Sequence, residues 1–445
     1  MPTPLFRTFI RVLEVFRPAV TAPSFANLIV LATGYVLTYG PHTVTAALLA
    51  TGVAGVVHHE RFHRFFSRGT WDPDAFGRCL LNQLVARTGV TLRLAIDDTF
   101  TEHRGAKIFG VGCHLDAVRS TKAFKVFGFG HCWVTLCVVM SVPWSRRPWA
   151  LPVLFRLYRP AAQTPKDAYR KKTQLAREML DLVLTWFPAL QLEVAADQAY
   201  CNQTLLGGLA QRVTWQGAMR PDAALTAAPP PNISGHRGRP RQRGDRLPSP
   251  ATLARDPKVP WTPVTYDRGG IPTTVAYKTC VAQWYAVTGA RLLRIVVVRQ
   301  DDGRIPWRVY FCTDVTRTVA DLLAHGSWRW SIEVWYRDAK QWLGLGDSPA
   351  QTAAAVLRTV PFLSLLSTAM VLWFWDARLY DAADLLPATT WYRQKRSYSF
   401  SDILRTARTV FAKVDILEEV HHYKKLSELH AAHNSAEKHH FKLAS

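Results

Sequence analysis

The distribution of apolar residues predicts that the chain begins with helices and continues with strands. Apolar residues are dense but irregularly spaced through residues 1–88, and we interpret this segment as an N-terminal helical domain. Runs of β-type residues follow at 91–100, 107–116 and 131–142. Because turns containing glycine separate these runs, we expect three consecutive strands that form an antiparallel meander.

The next segments predict a mixed α/β core. Residues 146–159 are rich in Pro, Trp and basic residues and are expected to form a loop. A helix is predicted over 166–186, and its exposed side would carry Lys171, Lys172 and Arg177. Two further strands are predicted at 191–197 and 212–219. Acidic residues end the first and the fourth of the five strands.

The composition changes at about residue 221, and we expect an insertion from there to residue 318. Its first part is proline-rich and basic, with too few apolar residues to fold alone. It would be either a solvated linker or a flexible arm that clamps a nucleic-acid backbone. The arginines of this arm include Arg237, Arg239, Arg241 and Arg243. Several β-type runs after residue 261 predict that the rest of the insertion is rich in strands.

Helices are expected again after the insertion, and the tail from His421 lacks an apolar face and is expected to be frayed or disordered. These changes divide the chain into five segments. They are an N-terminal helical DNA-binding domain, the first part of the α/β core, the insertion, the final core helices and a C-terminal helical region with the tail, at residues 1–88, 89–220, 221–318, 319–380 and 381–445.

Composition and charge indicate a globular protein that binds a polyanion. The chain has 445 residues, of which 48% are hydrophobic, and its formal net charge of +22 comes from 55 Lys and Arg against 33 Asp and Glu. Such a surplus favours nucleic acid as the partner. We expect the apolar runs 28–57 and 361–375 to be buried helices and not membrane spans, because glycines and a proline interrupt the first and the second is shorter than about 20 residues.

The cysteines and the N-terminus favour a cytoplasmic protein. Seven cysteines are scattered along the chain without zinc-ligand spacing, which suits a reducing compartment. The first residues are partly basic, but no small-residue cleavage site follows a compact apolar core.

A basic aromatic helix is predicted near the end of the N-terminal domain. Arg61, Arg64 and Arg68 are interleaved there with three phenylalanines. Such a helix could pack through its aromatic rings and contact phosphates through its arginines.

Another helix, in the last third of the chain, combines one carboxylate with several cations. Read as a helix, residues 328–346 place Arg329, Glu333 and Lys340 on one face, with Arg337 beside them, because side chains four residues apart are neighbours. The carboxylate could hold a divalent metal while the cations hold phosphates. A solvated surface helix with alternating charges is the alternative interpretation.

The predicted topology can bring three acidic residues together. Asp97 or Asp98 ends the first strand, Asp197 ends the fourth strand, and Glu333 lies on the helix. If the first and fourth strands are neighbours, their acids lie side by side, and a helix packed at that edge adds the third. Mg²⁺ prefers carboxylates, waters and phosphates as ligands. The pattern therefore predicts a site for two Mg²⁺ ions, with Mn²⁺ as a possible substitute.

Several short motifs occur in a particular order along the chain. They are Ile96-Asp-Asp-Thr99 followed by Gly105 and Lys107, Ala196-Asp-Gln-Ala-Tyr200, Gly238-Arg-Pro-Arg241 and the helix with Glu333. Together they resemble the motifs of DDE transposases of the bacterial insertion-sequence type. In that family the helix reads Tyr-x2-Arg-x3-Glu-x6-Lys. Arg329, Glu333 and Lys340 match it, whereas Gly326 stands at the Tyr position.

The resemblance covers about residues 45–375 and implies both a fold and a function. The fold would be an RNase H-like mixed sheet flanked by helices, with a β-rich insertion and an N-terminal helical domain. The function would be cleavage of double-stranded DNA at the ends of an insertion sequence and joining of the 3′-hydroxyl ends to target DNA. A homodimer would act on the nucleoid in the bacterial cytoplasm.

The resemblance also implies roles for individual residues. Asp97, Asp197 and Glu333 would be the catalytic metal ligands, with Asp98 as the competing first ligand. The residues expected to contact DNA are Arg329, Arg337, Lys340, Lys107, Arg61, Arg64, Arg68 and the arginines of the arm.

Two other functions stay open. An RNase H-like nuclease without strand transfer would use the same acids, although the long insertion and the Arg/Lys helix favour transposition. A non-catalytic DNA-binding relic would need no acids, and the presence of all three argues against it.

Overall fold

The computed structural model describes residues 2–105, 107–116, 119–121, 123–231, 241–299, 307–382 and 397–423. The chain forms two compact units. The helical unit comprises Met1–Leu80, His103–Phe109 and Arg337–Ser445, and the sheet unit comprises Leu81–Glu102 and Gly110–Tyr336. Arg237, Arg239 and the predicted tail after residue 423 lie outside the described residues. The division into five segments stays a prediction.

The helices of the described residues are α1 (Pro2–Leu13), α2 (Ala22–Leu37), α3 (Val44–Ala50), α4 (Glu60–Ser67), α5 (Pro73–Thr88), α6 (Lys172–Trp186), α7 (Gln203–Leu206), α8 (Pro250–Arg255), α9 (Tyr285–Thr288), α10 (Val319–Trp328), α11 (Trp330–Trp342), α12 (Ala353–Asp376) and α13 (Phe400–Phe411). The strands are β1 (Thr91–Glu102), β2 (Gly112–Leu115), β3 (Phe127–Val142), β4 (Ser145–Tyr158), β5 (Gln191–Ala196), β6 (Val213–Ala218), β7 (Leu225–Thr226), β8 (Arg246–Leu247), β9 (Thr262–Asp267), β10 (Pro272–Gln283), β11 (Leu292–Arg299) and β12 (Trp307–Cys312).

These twelve strands form one mixed sheet in the sheet unit. The order is β2-β3-β1-β5-β6-β12-β11-β10-β7-β8, with β4 paired to β3 and β9 paired to β10. β1 is antiparallel to β3 and parallel to β5, and β5 is parallel to β6. The strands of the insertion continue the same sheet because β12 pairs with β6. The predicted fold class, an RNase H-like mixed sheet with flanking helices and a β-rich insertion, is confirmed.

The first three predicted strands do not form a simple meander. β3 lies between β2 and β1, and only Gly112–Leu115 of the predicted second strand is extended as a strand. All residues from 130 to 140 on β3 are buried, so both faces of the sheet are covered at this strand. β1 pairs with β3 and not with β2, its neighbour in sequence.

The expected loop at 146–159 is wrong, because these residues belong to β4. Residues 150–155 are all buried against the core, and this apolar run outweighs the loop-like composition around it. β4 pairs only with β3, and Pro152 lies beside a shift in the register. A proline is tolerated on an edge strand or at a bulge because its missing N–H breaks no required ladder bond.

An aromatic cluster holds the helical unit together. The rings of Phe9 and Phe411 lie 4.8 Å apart, and those of Phe6 and Phe411 lie 5.1 Å apart. The indole N–H of Trp373 on α12 donates to the carbonyl oxygen of Leu5 at 2.9 Å. The cluster joins α1, α12 and α13 into one core.

The second predicted apolar run belongs to a longer helix than expected. α12 has 24 residues and is long and apolar enough to cross a membrane, but 89% of its most apolar window is buried inside the protein. A core helix of this kind passes the same test of length and composition.

The predicted helix at 328–346 is divided at Arg329, which lies between α10 and α11. The N–H of Ile332 bonds to the carbonyl oxygen of Arg329 at 3.0 Å, so α11 starts with a tight turn. Gly344 follows the end of α11 with a φ of 65°, a left-handed conformation in which glycine commonly ends helices.

Candidate active site

Two acidic residues lie where the parallel pairing of β1 with β5 stops. These parallel strands are the predicted first and fourth strands, and their last residue pair is Ile96 with Ala196. Asp97 and Asp197 come next on each chain segment and therefore lie side by side. The prediction that these strands are adjacent is confirmed. The expectation that an acid ends the first strand is wrong, because β1 continues past Asp97 to Glu102 and pairs there with β3.

Each of these aspartates is oriented by its own backbone. Oδ1 of Asp97 accepts a hydrogen bond from the N–H of Asp98 at 2.8 Å. Oδ1 of Asp197 accepts one from the N–H of Gln198 at 2.7 Å, and Asp197 thereby caps the 3₁₀ turn Gln198–Tyr200. Both carboxylates are thus held in place by one oxygen each.

Arg329 connects Asp97 with Glu333. Its Nη1 donates to Oδ2 of Asp97 at 2.7 Å, and its Nη2 donates to Oε1 of Glu333 at 2.8 Å. Both are charge-assisted hydrogen bonds, which are stronger than neutral ones. The Arg329 side chain is only 20% exposed. The structure therefore brings together three of the residues that the sequence singled out.

The charges at this site act on one another. Burial raises the pKa of Asp97 to about 7, while Arg329 opposes the rise and Asp98 and Asp197 add to it. Burial alone would lower the pKa of Arg329, but the attraction of Asp97, Glu333 and Asp197 raises it. Two of the carboxylates, those of Asp97 and Glu333, thus bond directly to one buried cation, and Asp197 acts on it through its charge.

This donor set suits a divalent ion in its chemistry. Carboxylate oxygens are the ligands that Mg²⁺ and Mn²⁺ prefer, and Asp97 and Glu333 already share a cationic partner. Across the described part of the chain, no group of three or more His, Cys, Asp or Glu side chains is arranged to hold a metal ion. The guanidinium of Arg329 separates the carboxylates, and it would have to move for them to share an ion.

Asp98, the competing first ligand, contacts a different set of groups. Its Oδ2 accepts from Nζ of Lys172 at 2.6 Å and from Sγ of Cys132 at 3.3 Å. Its Oδ1 accepts from the hydroxyl of Tyr200 at 2.6 Å. Successive side chains of a strand point to opposite faces, which explains why Asp97 and Asp98 have different partners.

Sequence reasoning missed the partners of Asp98. Lys172 was expected on the exposed side of its helix, but its ammonium contacts Asp98. Arg177 was also expected to be exposed, but it donates to Asp181 and to the carbonyl oxygen of Gly207. Tyr200 belongs to the motif Ala196-Asp-Gln-Ala-Tyr200. Its position three residues after Asp197 was the signal that could have placed it near the site.

A second charge network joins β5 to α10. Glu193 on β5 accepts from Nε of Arg93 at 3.0 Å and forms an ion pair with Arg317. Nη1 of Arg317 and Nδ1 of His325 are 2.6 Å apart. Because arginine can only donate, Nδ1 accepts and the His325 ring is neutral. The network attaches α10, which precedes α11, to β5, the strand that Asp197 follows.

A cleft of about 590 Å³ opens beside Asp197. Its walls include Asn202, Arg220 and Trp284. Its volume lies within the range of ligand pockets in proteins, and an aromatic face with a nearby cation suits a nucleotide.

The basic residues predicted to bind DNA occur in both units. In the sheet unit, Arg241 is exposed and lies 3.2 Å from Asp245, and the guanidinium of Arg243 lies 5.7 Å from the ring centre of Tyr285. In the helical unit, Arg337 pairs with Asp338 at 2.8 Å, and Lys107 and Lys340 have exposed side chains.

α4 has the two faces that the sequence predicted. Its three phenylalanines are buried, and Arg61, Arg64 and Arg68 are exposed. Arg61 donates to Oδ1 of Asn27 at 2.6 Å, and Arg64 pairs with Glu60 at 2.6 Å. The packing side of this helix is confirmed, and its contact with phosphates stays a prediction.

Comparison with known proteins places the chain in a family. It aligns with a piggyBac transposase, from the cryo-EM structure of a synaptic complex with hairpin DNA, at 10% identity and a TM-score of 0.42, over 94% of this chain and 81% of that chain. No curated protein matches the sequence. The sequence model of the family described as DDE superfamily endonuclease matches residues 16–273, a range that includes Asp97, Asp98 and Asp197. Since this is more than half of the 445 residues, the chain belongs to the DDE superfamily of endonucleases.

Proposed function

We propose that the protein is a transposase that cleaves double-stranded DNA at the ends of an insertion sequence and joins the 3′-hydroxyl ends to target DNA. The observation that carries the proposal is that Arg329 donates to both Asp97 and Glu333, while Asp197 follows the strand that pairs with β1 beside Asp97. Membership of the endonuclease family supports the cleavage step. The Arg and Lys of the helix motif support strand transfer.

Asp97, Asp197 and Glu333 would hold two Mg²⁺ ions, or Mn²⁺ ions in their place. When bound, the metals activate the attacking water or 3′-hydroxyl and stabilise the leaving oxygen. The carboxylates are suited to this role because β1 carries Asp97, the capped 3₁₀ turn after β5 holds Asp197, and the start of α11 carries Glu333. Arg329 would turn from the carboxylates to a phosphate group, because a forked guanidinium can donate to two phosphate oxygens at once.

The DNA partner would be held by the basic surface and by the cleft. The net charge of +22 favours phosphate contacts, and the cleft beside Asp197 would take a nucleotide next to the scissile phosphate. Strand transfer joins two element ends to one target, so we propose a homodimer that acts on the bacterial nucleoid in the cytoplasm.

A cleavage and strand-transfer assay with the full chain tests the proposal. The substrate is a labelled fragment that carries an element end, mixed with target plasmid in Mg²⁺. Asp97→Ala, Asp197→Ala and Glu333→Ala should each slow cleavage at least about 1,000-fold, a barrier increase of about 4 kcal/mol, while they bind the fragment nearly as wild type. Asp181→Ala removes a half-exposed carboxylate on α6 and serves as the matched control.

Each alternative gives a different result. Cleavage without joined products would identify a nuclease without strand transfer. Binding without any cleavage by the wild type would identify a DNA-binding relic. Wild-type cleavage by all three alanine variants would overturn the assignment of the site.

A further inference from the structure

Both carboxylate oxygens of Asp98 are already bonded to side chains of this chain. Oδ1 accepts from Tyr200 at 2.6 Å, and Oδ2 accepts from Lys172 at 2.6 Å and from Cys132 at 3.3 Å. Lys172 also balances the negative charge of Asp98, which is largely screened from water with 23% of its side chain exposed. These contacts give both oxygens of Asp98 a hydrogen-bond donor and balance its charge without a metal ion.

Tyr200 is rigidly connected to Asp197. The N–H of Tyr200 bonds to the carbonyl oxygen of Asp197 at 3.0 Å, and Asp197 caps the same 3₁₀ turn through its side chain. Tyr200 is buried, with 1% of the residue exposed. A buried ring on a capped turn has little freedom to move, so the Tyr200 hydroxyl and Asp197 shift together.

The Tyr200–Asp98 hydrogen bond therefore connects β1 with the turn that follows its neighbouring strand β5. On β1 it reaches Asp98, whose N–H also bonds to the carboxylate of Asp97 at 2.8 Å. On β5 it leads through one turn to Asp197. A single short hydrogen bond thus joins the two chain segments that contain Asp97 and Asp197.

We infer that Asp98 is not a metal ligand but a positioning residue, and that its hydrogen bond from Tyr200 sets the separation between Asp97 and Asp197. The inference rests on the proposed function, since it assumes that these two aspartates hold metal. Groups that orient metal ligands contribute about 10- to 100-fold to metal affinity or activity. Losing the Tyr200 hydroxyl should therefore weaken metal binding without removing any ligand.

Tyr200→Phe is the first test because it removes one hydroxyl and keeps the buried ring. Binding of Mn²⁺ to the full chain on an uncleavable element end is measured by electron paramagnetic resonance. We expect affinity about 10- to 100-fold weaker than wild type, unchanged affinity for the DNA, and a cleavage rate that recovers at saturating Mg²⁺. Tyr158→Phe is the matched control, because it also removes one tyrosine hydroxyl near Lys172, whose ammonium lies 5.6 Å from the Tyr158 ring. The hydrogen bond from Tyr200 to Asp98 stays intact in this variant.

The double variant Asp98→Asn with Lys172→Met tests whether Asp98 is a ligand. It removes both charges of the pair together, so that neither partner is left buried and unpaired. The amide oxygen of Asn can still accept from Tyr200. We expect cleavage within about 10-fold of wild type at saturating Mg²⁺, a barrier change of at most about 1.4 kcal/mol.

The outcomes separate this inference from the proposed function. If Asp97→Ala and Asp197→Ala keep wild-type Mn²⁺ affinity, the proposed metal site fails. If those variants lose the metal while Tyr200→Phe binds it as wild type does, the positioning role fails alone. A folded double variant that loses Mn²⁺ as completely as Asp97→Ala would make Asp98 a ligand.

Discussion

Nη1 of Arg329 lies 2.7 Å from Oδ2 of Asp97, and the same guanidinium reaches Glu333 at 2.8 Å. The sequence motif gave Arg329 a role on phosphates, whereas the structure places it on the carboxylates. The two roles are compatible if the guanidinium changes partners when metal and DNA bind. The same pair of N–H donors can bond either to two carboxylates or to a phosphate.

We predict that Arg329→Ala slows single-turnover cleavage by one to two orders of magnitude in saturating Mg²⁺, a barrier increase of about 1.4–2.7 kcal/mol. Arg329→Lys should recover only part of this rate, because an ammonium cannot bridge two oxygens as a guanidinium does. Arg308→Ala, on the exposed side of β12, is the control. A wild-type rate in Arg329→Ala would mean that the residue only neutralises the carboxylates.

The convergence of Asp97 and Asp197 could be predicted because each follows a recognisable β-type run. Once the two strands are parallel neighbours, the residues that follow the last pair, Ile96 with Ala196, must lie beside each other. The contact between Arg329 and Glu333 was also accessible, since an interval of four residues brings helical side chains together. These parts of the site depend on local patterns and on one topological assumption.

The contacts of Asp98 could not be predicted in this way. Lys172 is 74 positions away in sequence, and helical periodicity alone placed it on the solvent side. β4 was missed for a related reason, because its prolines and arginines suggested a loop while its pairing with β3 made it a strand. Tertiary packing decided both cases.

We predict that binding to DNA depends strongly on salt, with a log–log slope of about −0.9 per phosphate neutralised. Replacing Arg241 and Arg243 by Gln should reduce the slope by about 1.8, because two phosphate contacts would be lost. Fluorescence anisotropy across a salt series measures it. Deleting residues 236–246 should also reduce the slope. If neither the substitutions nor the deletion changes the slope, this segment is a linker.

A further prediction concerns Lys340, which follows Glu333 by seven residues in α11. This interval puts two helical residues on one face, as expected for a cation that grips a phosphate near the metal ligands. Lys340→Ala should slow cleavage 10- to 100-fold, about 1.4–2.7 kcal/mol. Arg337→Ala should cost less, because its guanidinium is mostly exposed and pairs with Asp338. Equal rates for both variants in a single-turnover assay would remove Lys340 from the site.

The last prediction concerns acid stability and the network around His325. Burial is the main cause that lowers the pKa of His325 to about 4; Glu193 opposes this change, and Arg317 and Arg93 add to it. In the unfolded chain the imidazole titrates near its ordinary pKa of 6.5. Between these values the unfolded state binds a proton that the folded state does not bind, so the free energy of unfolding falls as the pH falls from 6.5 towards 4.

His325→Gln should remove this part of the acid sensitivity, because Gln does not titrate and its amide oxygen can still accept from Arg317. We expect that wild type loses about 1–3 kcal/mol more than the variant between pH 7.5 and 4.5. Urea unfolding followed by tryptophan fluorescence at each pH measures the difference. Parallel pH curves for the two proteins would contradict the prediction, since they would mean that His325 is protonated in the folded state. In that case Arg317 could not donate to Nδ1, and the attachment of α10 to β5 would have to rest on the ion pair between Arg317 and Glu193 alone.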